Sequence, residues 1–155
     1  MLQHCPYCSA NHIGGLEGCQ AIFYQVVLNA DMPLTSGMGR GIFDTYCLQH
    51  PELYCKSAKS YAAHLALLYC WIAYPNNQEV LEAIRRGLNG PFRAEKAFLP
   101  EVGKRGTLTI LHLKRSQSTN DIETRATQWI DNVWSAYAEV HTQAKDYWQV
   151  FMDRH

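Results

Sequence analysis

Apolar residues recur at intervals of three and four along most of this chain, the spacing that lines one face of an α-helix. Ile22, Phe23, Val26, Val27 and Ala30 mark a first amphipathic helix that starts near Cys19 and ends before Pro33. Met32 to Gly41 holds one proline and three glycines and is predicted to be a loop. Phe43, Tyr46, Cys47 and His50 then mark a short helix over Ile42 to Gln49, stopped by Pro51. Ser57 or Ser60 caps a third helix carrying Tyr61, Leu65, Leu68 and Ile72, apolar on most sides as a central helix is. Asn76 or Asn77 caps a fourth, with Val80, Leu81, Ile84 and Leu88 turned inward.

Residues 89 to 106 lack clean periodicity and are predicted to be a long loop. Thr107 to Leu111 alternates as a strand would, but no other segment can pair with it, so a short capped helix from Thr109 to Lys114 is preferred. Asn120 and Glu123 fit a capping box, after which Ile122, Ala126, Trp129, Val133, Tyr137, Val140, Ala144, Trp148 and Phe151 keep helical spacing. One unbroken helix of about 35 residues would span roughly 50 Å, so its end is expected to project or to pack on a second copy as a homo-oligomer contact. The expected architecture is all-α, a bundle of about five to six helices with a long C-terminal helix. It forms one domain over 1–155, in which an N-terminal zinc knuckle of residues 1–20 packs on a helical core of residues 21–155.

A chain of 155 residues with 47% hydrophobic side chains can bury one sizeable core. Fourteen Lys and Arg balance fourteen Asp and Glu, so no net field draws the chain to nucleic acid or to an anionic membrane surface. The longest apolar stretch, Ala62 to Tyr74, is broken by His64 and falls far short of the roughly 20 residues that cross a bilayer. The N-terminus has no basic region followed by an apolar one, which leads us to expect a cytoplasmic protein. In that reducing compartment the six cysteines are expected to be metal ligands or thiols rather than disulfides.

Candidate chemistry concentrates at the N-terminus. Cys5-Pro-Tyr-Cys8 and Cys19 are separated by a glycine-rich stretch that lets a third thiolate return to the metal held by the first two. Zinc is the expected ion, because thiolate-rich tetrahedral sites favour it. The fourth ligand comes from His4, His12, Cys47, His50 or Cys55, or is water. His50 is best placed, at a helix end that Pro51 makes rigid, and Cys47 is the close rival three residues earlier. His64 and His112 are expected to be structural.

Together these segments resemble a family of small bacterial proteins of unknown function. The match rests on Cys5-Pro-Tyr-Cys8, on Gly18-Cys-Gln-Ala-Ile-Phe23, on Asp44-Thr-Tyr-Cys-Leu-Gln-His-Pro51 and on the stretch from Val133-Trp-Ser-Ala-Tyr137 through His141 to Trp148. The resemblance implies Cys5, Cys8, Cys19 and His50 as metal-type positions. It also implies Asp44, Gln49 and His141 as polar positions of a ligand pocket. The chain departs from the pattern where Ser9 replaces a glycine, Tyr137 a tryptophan and Val140 the first of two adjacent histidines.

Two functions are compatible with these residues. In the first, zinc is structural and the helical protein binds a protein partner or a small ligand. In the second, a cluster of Asp44, His50 and His141 carries out metal-dependent or acid–base hydrolysis.

Overall fold

The structure, a computed structural model, describes residues 3–34, 37–75, 77–90 and 98–154. Among the described residues the chain forms eight α-helices and one 3-10 turn, with no strand. The all-α expectation is therefore met. The helices outnumber the expected five to six because a new one starts at Pro51 and the long C-terminal one is broken. Residues 91–97 of the predicted long loop, and Asn76 as a cap, lie outside the described residues.

The first helix, α1, spans Gly15–Asn29 and starts four residues earlier than its apolar spacing indicates. The irregular N-terminal segment accordingly ends at Gly14 rather than near residue 20. The second, α2, spans Gly37–Gln49, so the predicted loop loses its last five residues to helix. Gly39 and Gly41 serve close packing instead of breaking the helix: a Cβ would lie 1.9 Å from the Pro33 carbonyl oxygen at Gly39 and 2.9 Å from the Trp71 indole at Gly41. His50 ends α2, and Pro51 opens α3, Pro51–Tyr54, at the first helical position where its missing N–H costs nothing.

Helix α4, Ala58–Ala73, carries the expected Ser57 cap, whose hydroxyl accepts from the Ser60 N–H while Ser60 answers with its own side chain. It packs between α2 and the last helix and buries Tyr61, Ala62, Leu65, Ala66 and Leu68 completely. Asn77 caps α5, Gln78–Gly87, and Thr109 caps α6, Ile110–Lys114. The buried apolar side chains form one continuous cluster that runs from Cys5 to Phe151.

The C-terminal segment corrects two expectations. The cap of α7, Thr119–Ala136, is Ser118 and not Asn120; the Ser118 hydroxyl accepts from the Asp121 N–H and the Asp121 carboxylate accepts from the Gln117 N–H. The start lies two residues earlier than expected, and Asp121 binds the N–H of the residue before the cap rather than that of Ser118, so the box is not closed in the usual way. At Tyr137 the helix stops, a 3-10 turn over Ala138–Val140 follows, and α8, His141–Met152, folds back onto α4 and α5. Apolar spacing survives such a break, because the turn keeps the inward face in register. Tyr137 is fully buried with its hydroxyl donating to the Leu48 carbonyl, and that anchor holds the break. The 50 Å rod and its projecting end are therefore absent.

The contact of α5 with α8 tolerates no side chain at Gly87, where a Cβ would lie 1.9 Å from the Phe151 carbonyl oxygen. Gly87→Ala gains about 1 kcal/mol of helix propensity but forces the two helices apart. The expected net result is a loss of about 1–3 kcal/mol in urea unfolding.

Candidate metal centre

One irregular segment, the helix α1 and the α2–α3 junction bring four potential ligand atoms to one point. Residues 3–14 have too few apolar side chains to fold alone, and their backbone closes locally: the Cys5 N–H donates to Ala10 O at 2.8 Å and the Ser9 N–H to Cys5 O at 3.0 Å. That loop presents Cys5 and Cys8. Ser9 sits at φ 66°, the left-handed conformation for which a glycine would be the easy choice. Cys19 comes from the second turn of α1, and His50 from the junction of α2 and α3.

The ligand atoms of Cys5, Cys8, Cys19 and His50 lie within 4.8 Å of one another, and all four residues are buried. His50 Nε2 is 3.5 Å from Cys5 Sγ and 3.4 Å from Cys19 Sγ, and the sulfurs of Cys8 and Cys19 are 3.8 Å apart. A tetrahedral ion with bonds of about 2.3 Å to sulfur and about 2.0 Å to nitrogen sets its ligands roughly 3.8 Å apart for two sulfurs and roughly 3.5 Å for sulfur and nitrogen. The observed spacings fit that tetrahedron, so the cluster can hold one metal ion.

The imidazole is oriented for this. His50 Nδ1 lies 2.7 Å from the Tyr46 carbonyl, which can only accept, so the proton is on Nδ1 and the Nε2 lone pair faces the sulfurs. The Tyr46 ring packs on the imidazole at 4.0 Å and its hydroxyl lies 3.5 Å from Cys19 Sγ. The thiols perturb each other strongly. Hydrogen bonds from Cys19 and Cys8 hold Cys5 far below the usual thiol range. Hydrogen bonding with Cys19 and Cys5, reinforced by burial, pushes Cys8 far up, and hydrogen bonding with Cys5 pushes Cys19 up to about 11. Three thiolates repel at this distance unless a cation sits among them.

The other expected polar positions are dispersed. Asp44 is fully buried and bound to Arg40 and His64. Gln49 is fully buried and structural: its amide donates to Arg105 O at 3.0 Å and Leu108 O at 2.7 Å, and its oxygen accepts from Trp129 Nε1 at 3.0 Å. His141 lines the break after α7, where Nε2 donates to the Trp134 carbonyl at 2.7 Å and the ring stacks on the Trp134 indole. The expected cluster of Asp44, His50 and His141 does not form, because separate partners already occupy each of the three. Cys47, the rival ligand, is fully buried and does not join the four converging residues; the Cys55 thiol donates to its backbone carbonyl at 3.9 Å. His4 and His12 are exposed.

Two residues outside the sequence expectations complete the site's surroundings. Arg105 is buried and donates to Tyr7 O at 3.3 Å, to Pro100 O at 2.9 Å and to both oxygens of Glu52, which ties the N-terminal loop to α3 and to the segment after residue 98. Tyr46 is the other. A lone arginine in an aperiodic stretch and a tyrosine on an apolar face gave no signal of these contacts.

A model described as a family of unknown function (DUF5946) matches residues 3–138 of the chain. No curated protein and no solved structure matches it significantly.

Loading the cluster displaces the protons that Cys8 and Cys19 hold at neutral pH. Metal affinity is therefore expected to fall as pH falls, by up to about 100-fold per unit if two protons leave. A flat profile in a competition titration with a chromophoric chelator would contradict thiolate ligation. Gln49→Ala strands one indole N–H and two carbonyls in the core, with an expected loss of about 2–4 kcal/mol in urea unfolding and unchanged metal stoichiometry.

Proposed function

The chain belongs to this family of unknown function, and from that premise we propose that it is a zinc-stapled helical protein whose metal is structural and whose helical body binds a protein partner or a small ligand. The convergence of Cys5, Cys8, Cys19 and His50 within 4.8 Å carries the metal part. Three thiolates and one imidazole are a zinc-type donor set, and four protein ligands leave no open position for a water or a substrate. Cys5 and Cys19 are fully buried, which also suits a staple better than a Lewis acid.

None of the six cysteines is in a disulfide, which supports a reducing, cytoplasmic setting. No helix among the described residues is long and apolar enough to cross a membrane. Zero net charge argues against nucleic acid as the partner.

What the ion adds is the docking of residues 3–14 on α1 and on the α2–α3 junction. A structural site of this kind contributes on the order of 10 kcal/mol to ordering a small peptide, but the core around α4 and α8 is built without it. Elemental analysis is expected to find one zinc per chain. The cobalt-substituted protein should show three sulfur ligands, one nitrogen and no exchangeable water. Chelation or Cys8→Ser should erase the chemical-shift dispersion of residues 3–14 while most far-ultraviolet helical signal remains. Absence of metal refutes the staple, an exchangeable water refutes the closed shell, and complete unfolding on chelation refutes the independent core.

A further inference from the structure

The seam between α2 and α4 holds a second group of chemistry-bearing side chains. Asp44 has no exposed surface, and its carboxylate accepts from Arg40 Nε at 2.9 Å, from Arg40 Nη2 at 3.0 Å and from His64 Nδ1 at 2.8 Å. A carboxylate only accepts, so in the neutral imidazole the proton lies on Nδ1 and the lone pair on Nε2. Among the described residues Nε2 has no hydrogen-bond partner, and the His64 side chain keeps 13% of its surface open to solvent. Phe43 sits between the two basic groups, with the His64 ring at 5.8 Å and the Arg40 guanidinium 5.3 Å from its centroid.

Arg40 faces two ways. Two of its nitrogens hold Asp44, while Nη1 has no partner among the described residues. The side chain also lines a narrow cleft of about 20 Å³ with Leu67, Cys70, Trp71 and Tyr74, room for about one water or one ligand oxygen. The Trp71 ring lines that cleft, while its indole N–H is buried against Gly41. The unused Arg40 donor calls for an oxygen acceptor, and a carboxylate suits a guanidinium.

An imidazole oriented through Nδ1 by a buried carboxylate, with Nε2 facing solvent, is arranged as a general base. No side-chain hydroxyl or thiol among the described residues is bonded to Nε2, so its proton donor is water. We propose that Arg40, Asp44 and His64 form a second, metal-independent site that hydrolyses an ester in a small carboxylate-bearing molecule, with His64 as base and Arg40 as carboxylate anchor. His64 Nε2 takes a proton from water as the water oxygen bonds to the acyl carbon. The bond from that carbon to the alcohol oxygen breaks, and the imidazolium gives its proton to the leaving oxygen. Water is the sole co-reactant, and an acid and an alcohol are the products. Asp44 is a positioning residue that holds the tautomer and stabilises the imidazolium.

The same three residues would also serve as a plain ion-pair link between α2 and α4, and the experiment separates the two roles. The zinc-loaded full chain is assayed with the 4-nitrophenyl monoester of succinic acid and with 4-nitrophenyl acetate, which lacks the carboxylate. His64→Gln is expected to lower kcat about 100-fold on both probes. Arg40→Gln should raise KM for the succinate monoester about 10-fold more than KM for the acetate, and lower kcat on both probes through the lost support of Asp44. Asp44→Asn should lower kcat and move the ring proton to Nε2 in long-range proton–nitrogen spectra, with circular dichroism and zinc content checking each fold. Chelating the zinc should leave kcat within about twofold, so failure of the staple and failure of this site are read separately. Equal rates for His64→Gln and the wild-type chain on both probes, or a wild-type His64 protonated on Nε2, would overturn the proposal.

Discussion

The hydrogen bond from His50 Nδ1 to the Tyr46 carbonyl is the constraint on which the N-terminal third of this protein depends. Within α2 that carbonyl also accepts from the His50 N–H, so the helix end supplies the oxygen that selects the tautomer. With Nδ1 committed, Nε2 can only point at the sulfurs of Cys5 and Cys19. Pro51 makes the arrangement rigid, since it cannot extend α2 and yet is suited to start α3. Residues 3–14, which have no core of their own, thus have a fixed partner to dock against.

Around that point the helix α2 distributes consecutive side chains to different tasks. Tyr46 and His50 face the sulfur cluster, Gln49 binds the segment at Arg105 and Leu108 together with Trp129 of α7, and Asp44 faces His64 of α4. A helix advances 100° per residue, so the seven positions from Asp44 to His50 reach every side of it. The glycine at position 41 lets Trp71 of α4 come within contact of the backbone and closes the same seam that holds Asp44. One helix therefore supports both the candidate metal centre and the Arg40–Asp44–His64 group, and neither shares a side chain with the other.

The break after α7 shows how a buried polar group overrules periodicity. Tyr137 needs a partner for its hydroxyl inside the core and finds the Leu48 carbonyl, next to Gln49 on α2. Holding the ring there ends α7, and His141 adds a second donor to the Trp134 carbonyl, which also accepts from the Tyr137 N–H. His141 has a structural role for that reason, although its position on an aromatic helix resembles that of a ligand.

The all-helical class, the position of most helices and the four residues that converge were legible in the sequence for physical reasons. Apolar spacing at three and four marks an inward face, a serine or threonine before it marks a start, and a CxxC pair with a returning cysteine has few other uses. Ser57, Asn77 and Thr109 cap helices where that logic puts them. The exclusion of Cys47 could not be read in this way. Cys47 and His50 share a face by spacing, and only the docking of the N-terminal loop at His50 separates them. The pairing of Asp44 with His64 rather than with His50 or His141 was equally hidden, because the two lie twenty positions apart on different helices. Local pattern specifies which residues turn inward, since it depends on the chain's own period. Which inward residues meet depends on how helices cross, and that is settled by the packing of the whole core.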